Sequence, residues 1–305
     1  MPLVSIIMAA YNAEDFIGST IESVRSQTFQ DWELVIVNDG STDKTLAIAE
    51  QAKRQDDRIQ IIDRLNQGAH IARNIAFQAS KGKYIAILDA DDRLLPKKLQ
   101  IQVDLLETKR EFDVVYGDTW HCDEKMNRLI LESEKYRGQQ HSGNVFEKIV
   151  LGNLFAVHAA LTRRECFEET GLHRNEKDLI GDWDLWVRVA VSHKFFYHQD
   201  PVCEYRLHSQ MSARKDVASK QLEQRLGVVK HIEKMPQFQK LRPVTKHLFH
   251  YANGRFAQKF SLHSAAIPFL ISSIKYWPFS WKTYAALSFS LIKTLMPKDI
   301  KNAKS

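Results

Sequence analysis

Three carboxylates in four residues close one apolar run: Asp89, Asp91 and Asp92 in YIAILDADD. Crowded acids repel one another unless a cation or hydrogen-bond donors offset them. Asp89 and Asp91 are one residue apart, so both can point to one side of an extended segment. That pair suits a hard divalent ion with positions left open for phosphate. An acidic turn capping the next helix is the other reading. Asp39 closes a second run, ELVIVND, where it can accept from a base N–H or a ribose hydroxyl, or form an Asx turn. Arg73 in GAHIARN carries the planar fork that suits diphosphate. His208 in YRLHSQMSA is either a metal or diphosphate ligand or a structural histidine. GDWDLW, residues 181–186, sets Asp182 and Asp184 either side of a tryptophan. Placed just before a helix, Asp182 would stay ionised and could serve as a general base.

Such residues need a frame that brings them together. The first 117 residues alternate buried-strand and helix patterns. VSIIMAA (4–10), ELVIVND (33–39), IQIID (59–63), YIAILD (84–89) and DVVYGD (113–118) are continuous apolar runs. Between them, Phe16, Ile17, Ile21 and Val24 mark one helical face, and Ile71, Ile75 and Ala79 another. Ser41 or Thr42 is the expected N-cap of the helix after the second strand, and Pro96 the expected start of a later helix. The pattern predicts an α/β fold with a mostly parallel, doubly wound sheet. Such sheets bind ligands beyond the carboxyl ends of their strands, here AAYN (9–12), NDGS (38–41) and LDADD (88–92). Later, 155–163 reads as a strand, 183–192 as a helix, and KFFYH and CEYRLH as two short closing strands.

The 305 residues can hold one large domain or two smaller ones. Three scattered cysteines suggest neither a disulfide framework nor a zinc site, and favour a reducing cytosol. The N-terminus reads as a first strand with no secretory signal. The net charge of +6 is uneven: residues 214–305 hold 17 Lys/Arg and 4 Asp/Glu, which leaves −7 on the residues before them. We expect a catalytic domain over 1–213 and a basic, mainly helical C-terminal subdomain over 214–305. The latter would serve an anionic membrane surface or oligomerisation. Its apolar stretches, interrupted by Pro268, Lys275, Pro278 and Lys282, fall short of the roughly 20 residues of a spanning helix. The expected location is cytoplasmic, at the membrane's cytoplasmic face if the tail docks there. Nucleic acid is not an expected partner, for want of an interleaved aromatic-basic pattern.

Together, VSIIMAAYN, ELVIVNDGSTDKT, GAHIARNIA, YIAILDADDRLLP, GDWDLWVRVA and YRLHSQMSA resemble the family 2 glycosyltransferases, over roughly residues 1–213. The resemblance implies a GT-A fold and an inverting enzyme, of hexosyltransferase type, that uses a nucleotide-sugar donor, most often UDP-linked. It implies Mn²⁺ or Mg²⁺ as cofactor and a glycan or lipid-linked acceptor, as in bacterial cell-surface polysaccharide synthesis. By the same resemblance Tyr11 packs against the base, Asp39 accepts the uracil N3–H and Arg73 meets the diphosphate or base. Ala10, Asn12 and Ala90 line the donor beside them. Asp89 and Asp91 form the DxD pair, with Asp91 the direct metal ligand. His208 meets the metal or diphosphate, and Asp182 is the catalytic base. The family often has glutamate where this chain has Gly181, which implies free space beside Asp182 on the acceptor side. Trp183 is a further acceptor-side candidate.

Rival classes lack their marks. No glycine-rich basic loop of a pyrophosphorylase follows the first strand, nor does the GxGxxG of a dehydrogenase. An aspartyl-phosphate phosphatase would place its DxD on the first strand rather than the fourth. A non-catalytic sugar-nucleotide-binding scaffold would not need the intact acids.

Overall fold

The computed structural model describes residues 1–138, 140–174, 181–209 and 218–295. The chain divides into two compact units, 1–149 with 153–212, and 150–152 with 213–305. Helices of nine or more residues are numbered below.

In the first unit nine strands form one sheet: β1 Val4–Ala10, β2 Trp32–Asp39, β3 Ile59–Arg64, β4 Tyr84–Asp89, β5 Arg93–Leu94, β6 Val114–Cys122, β7 Arg128–Leu131, β8 Ala160–Arg163 and β9 Phe195–Arg206. Their order is β3-β2-β1-β4-β8-β6-β9-β5, with β7 on β6. The half built by residues 1–89 is wholly parallel. β1, β2 and β4 are buried on both faces, which requires the β-branched, almost acid-free runs seen in the sequence. Helices α1 Ile17–Arg25, α2 Thr45–Lys53 and α3 Ala69–Ala79 alternate with these strands. The strand ends therefore lie side by side: Ala10 opposite Asn38, and Ala9 opposite Asp89.

The other half of the sheet is mixed. β8 runs antiparallel to β4 and β6, whereas β9 is parallel to β6. Three expectations change here. KFFYH and CEYRLH belong to a single strand, β9, because its partner β6 absorbs the irregularity around Pro201 with two register shifts. Residues 155–163 give a 3₁₀ turn, Val157–Ala159, before the short β8. Helix α4, Lys98–Thr108, begins two residues after Pro96.

Lys98 lies under the sheet, 1% exposed, and donates to Gln102 Oε1 and to the Ala160 carbonyl at 3.1 Å. Burial brings its pKa down from 10.5 to about 7. Between those values the folded chain holds fewer protons than the unfolded chain, so stability rises with pH across that window. The slope approaches about 1.4 kcal/mol per pH unit for one such group. Lys98→Met should flatten it, as read by denaturant unfolding at a series of pH values; an unchanged slope would remove Lys98 as its source.

The second unit is helical: α6 Ala218–Lys234, α7 Pro243–Lys259, α8 His263–Tyr276 and α9 Trp281–Leu295, with α5 (Gly181–Val189) belonging to the first unit. Its core gathers Leu222, Ala257, Ala266, Leu270 and Ala286. Small residues permit close approach: a Cβ on Gly254 would overlap Leu270 at 2.8 Å. Pro268 does not interrupt α8, which runs through it. Among the described residues no helix is long and apolar enough to cross a membrane.

Candidate active site

The loops after β1 and β2 are stitched together by side chains. Asn12 Oδ1 accepts from the Thr42 N–H at 2.9 Å, and Ser41 Oγ accepts from the Asn12 N–H at 3.1 Å while donating to Asn38 Oδ1 at 2.6 Å. Ser41 and Thr42 thus tie two loops together instead of capping α2. The helix starts three residues past Thr42, where Asp43 Oδ1 accepts from the Thr45 N–H at 2.9 Å. Asn12 takes a left-handed backbone, φ 46°, which its short polar side chain tolerates. Tyr11, beside it, is 53% exposed. Ala10 is buried at the end of β1.

Asp39 is buried and holds a different loop from the one expected. Its two oxygens accept from the backbone N–H groups of Gln67, at 3.0 Å, and Gly68, at 2.7 Å. A carboxylate has about four lone-pair sites, so it can still accept from a ligand. Gly68, with φ 100°, then turns the chain into α3.

Arg73 projects from α3, is 7% exposed, and bridges two acids 93 residues apart in the chain. It donates to Asp89 Oδ1 at the end of β4 and to Asp182 Oδ1, at 3.2 Å, in the first turn of α5. Burial alone would lower the Arg73 pKa, but Asp89 and Asp182 raise it. Burial would raise that of Asp89, yet Arg73, with His158 and His70, holds it below the usual carboxylate range. Asp182 moves up: burial and Asp89 outweigh Arg73. The two acids thus differ in basicity, and Asp182 is the stronger proton acceptor.

Asp91 faces another way. Its Oδ2 lies 2.9 Å from His208 Nε2, so one oxygen and one nitrogen donor meet across 117 residues. The His208 ring packs on Phe16, centroids 4.5 Å apart. Ala90 between the two acids is anchored by Thr20 Oγ1, which donates to its carbonyl at 2.9 Å. Asp89 and Asp91 therefore do not converge on one point: Arg73 takes the first and His208 the second.

Beneath them lies a pair that spacing did not reveal. Asp92 and His158 are each 1% exposed and 3.0 Å apart. Asp92 Oδ1 also accepts from the Arg206 N–H at 2.8 Å. Burial pushes Asp92 up to about 6. For His158, burial acts downward, but Cys203 and Asp92 raise it well above its ordinary value. One carboxylate oxygen each from Asp89 and Asp92 and one ring nitrogen of His158 lie within 4.8 Å of one another. This pair fixes the DADD turn from below.

A model of the family described as Glycosyl transferase family 2 matches residues 5–171. The chain belongs to glycosyltransferase family 2. An uncharacterized glycosyltransferase of Methanocaldococcus jannaschii is 33% identical over 212 residues, 68% of this chain and 71% of that protein. The putative teichuronic acid biosynthesis glycosyltransferase TuaG of Bacillus subtilis is 42% identical over 106 residues. That match covers 34% of this chain and less than half, 42%, of TuaG. Among solved structures, S. aureus TarS 1-349 in complex with UDP-GlcNAc superposes with a TM-score of 0.67 at 15% identity, covering 96% of this chain and 88% of that one. That likeness is one of fold: the first unit is a GT-A glycosyltransferase fold.

Two acceptor-side expectations for this family 2 glycosyltransferase are corrected. Gly181 does not open free space, because His70 fills it: a Cβ on residue 181 would overlap the His70 ring at Nε2 and Cε1. His70 in turn stacks on His173, centroids 4.9 Å apart, and burial, then Arg73, lowers its pKa. Trp183 is 2% exposed and donates from Nε1 to the Ile149 carbonyl at 2.7 Å, so it is core and not an acceptor wall. Asp184 is buried and plays a supporting part, paired with Arg188 at 2.8 Å and Arg174 at 3.1 Å. Asp182 itself sits inside the first turn of α5, which begins at Gly181.

Gly181 and His70 thus form a complementary pair. Gly181→Glu alone should destabilise the fold by about 1–3 kcal/mol through overpacking. Adding His70→Gly should recover most of the lost melting temperature. No recovery in the double variant would disprove the complementarity.

Proposed function

We propose that this chain transfers a sugar from a UDP-sugar to a hydroxyl of a glycan or lipid-linked acceptor, by a metal-assisted single displacement with inversion. Cell-surface polysaccharide synthesis is the context proposed, which the resemblance to TuaG supports. The observation that carries the reading is Arg73, which holds Asp89 and Asp182 together at the strand ends. A DxD acid and a more basic carboxylate thereby share one guanidinium.

Asp182 accepts the proton of the acceptor hydroxyl as that oxygen bonds to the anomeric carbon. The bond from that carbon to the diphosphate oxygen breaks, and its electron pair leaves with UDP. Arg73 keeps Asp182 oriented, and its N-terminal place on α5 favours the ionised form. Tyr11 and Asp39 are assigned to the base, with Ala10, Asn12 and Ala90 shaping the donor side. An oxygen donor from Asp91 and a nitrogen donor from His208, already facing each other, suit a borderline-hard ion such as Mn²⁺ or Mg²⁺. Bound there, the ion would offset the charge on the departing diphosphate. We assign the reaction to the first unit.

A UDP-release screen across sugar nucleotides, with Mn²⁺ and with glycan and lipid-linked acceptors, tests the reading. Acceptor-dependent release is expected. Release no faster than from Asp182→Asn with every donor would leave a sugar-nucleotide-binding scaffold in its place.

A further inference from the structure

Helix α9 is built inside out. Its inward residues are the small Thr283, Ala286 and Ser290, all buried. Gln258 Nε2 of α7 fastens them, donating to the Ala286 carbonyl and to Ser290 Oγ, each at 2.7 Å. The large apolar residues face water instead: Trp281, Tyr284, Phe289, Leu291, Ile292 and Leu295 are all exposed. At 100° per residue these six fall on one face about 160° wide, with Lys282 and Lys293 along one edge of it. The turn entering the helix continues the face, with Trp277 43% and Phe279 84% exposed. A monomer in water gains nothing from such a surface, and contiguous exposed apolar patches mark interaction sites.

Charge selects the partner. Residues 236–295 contain eight Lys/Arg and not one Asp or Glu. A second copy docking here would bring like charge against like charge. Tryptophans at the end of one helix and the start of the next, flanked by Lys275 and Lys282, suit the boundary between headgroups and acyl chains. The 15 residues of α9 are too few to span a bilayer, which needs about 20. We propose that the outer face of α9 and the 277–281 turn lie in an anionic lipid surface, as an interfacial helix does. This docking is independent of the catalytic reading.

The test uses the full chain and sedimentation with vesicles of phosphatidylcholine alone or mixed with phosphatidylglycerol. Binding is expected only with phosphatidylglycerol, weakening as salt rises. It should bring a blue shift of tryptophan emission as Trp277 and Trp281 leave water. Replacing Trp277, Phe279 and Trp281 by Ser should abolish sedimentation with an unchanged melting temperature. Lys275→Gln, Lys282→Gln and Lys293→Gln, which keep the helix's apolar face, should each lower partitioning about fivefold. Equal binding to both vesicles, or binding indifferent to both sets of variants, overturns the proposal. So does an absence of vesicle binding with concentration-dependent self-association that the Ser variants remove, which would assign the face to a second copy.

Discussion

Asp182→Asn should lower sugar transfer by about 10²–10⁴-fold, the usual worth of a positioned general base. UDP-sugar affinity should change little. The substitution keeps the volume and an oxygen for Arg73 to donate to, so the Arg73–Asp89 contact survives. What is lost is basicity, and of the two acids on Arg73 it is Asp182 whose environment raises it, through burial and the neighbouring Asp89. The comparison of Asp182→Asn with Asp89→Asn is therefore informative. Asp89 is held low by Arg73, and its loss should loosen Arg73 and weaken donor binding as well as turnover. Calorimetric titration with UDP separates the two. If Asp182→Asn loses binding and turnover in equal measure, the residue is a brace for Arg73 rather than the proton acceptor.

The second large effect is expected at Asp91. Asp91→Asn should weaken Mn²⁺-dependent UDP binding at least as much as loss of a supporting ligand contact does, about 10–100-fold. Binding measured without the ion should stay where it was. His208→Ala should act through the same ion, since its Nε2 and Asp91 Oδ2 face each other at 2.9 Å. The two changes should then be non-additive in a double-mutant cycle. Strict additivity, or metal dependence unchanged in Asp91→Asn, would remove the ion from this pair.

The parallel half of the fold was legible because burial on both faces forces unbroken apolar runs, as in VSIIMAA and YIAILD. The acids that end those runs stand out against them. What stayed hidden were partnerships between residues far apart in the chain. No periodicity links Gly181 to His70 or Asp92 to His158. Each depends on two segments folding against one another, and the first changed a reading: open space became a filled one. β9 was missed as a single strand for a related reason. Pro201 looks like an end from within its own strand, and only the register shifts of β6 allow the pairing to continue past it.

The bridge made by Arg73 has one more consequence, for how the nucleotide loads. Its charge is already shared between Asp89 and Asp182, and the charge of His158 is matched by Asp92. Asp91 adds a further negative charge at the mouth. Among the described residues, a bare diphosphate approaching Asp89, Asp91 and Asp182 would meet in Arg73 a cation already matched by two acids. With the divalent ion proposed for Asp91 and His208, the nucleotide should therefore bind best together with its ion and only weakly without it.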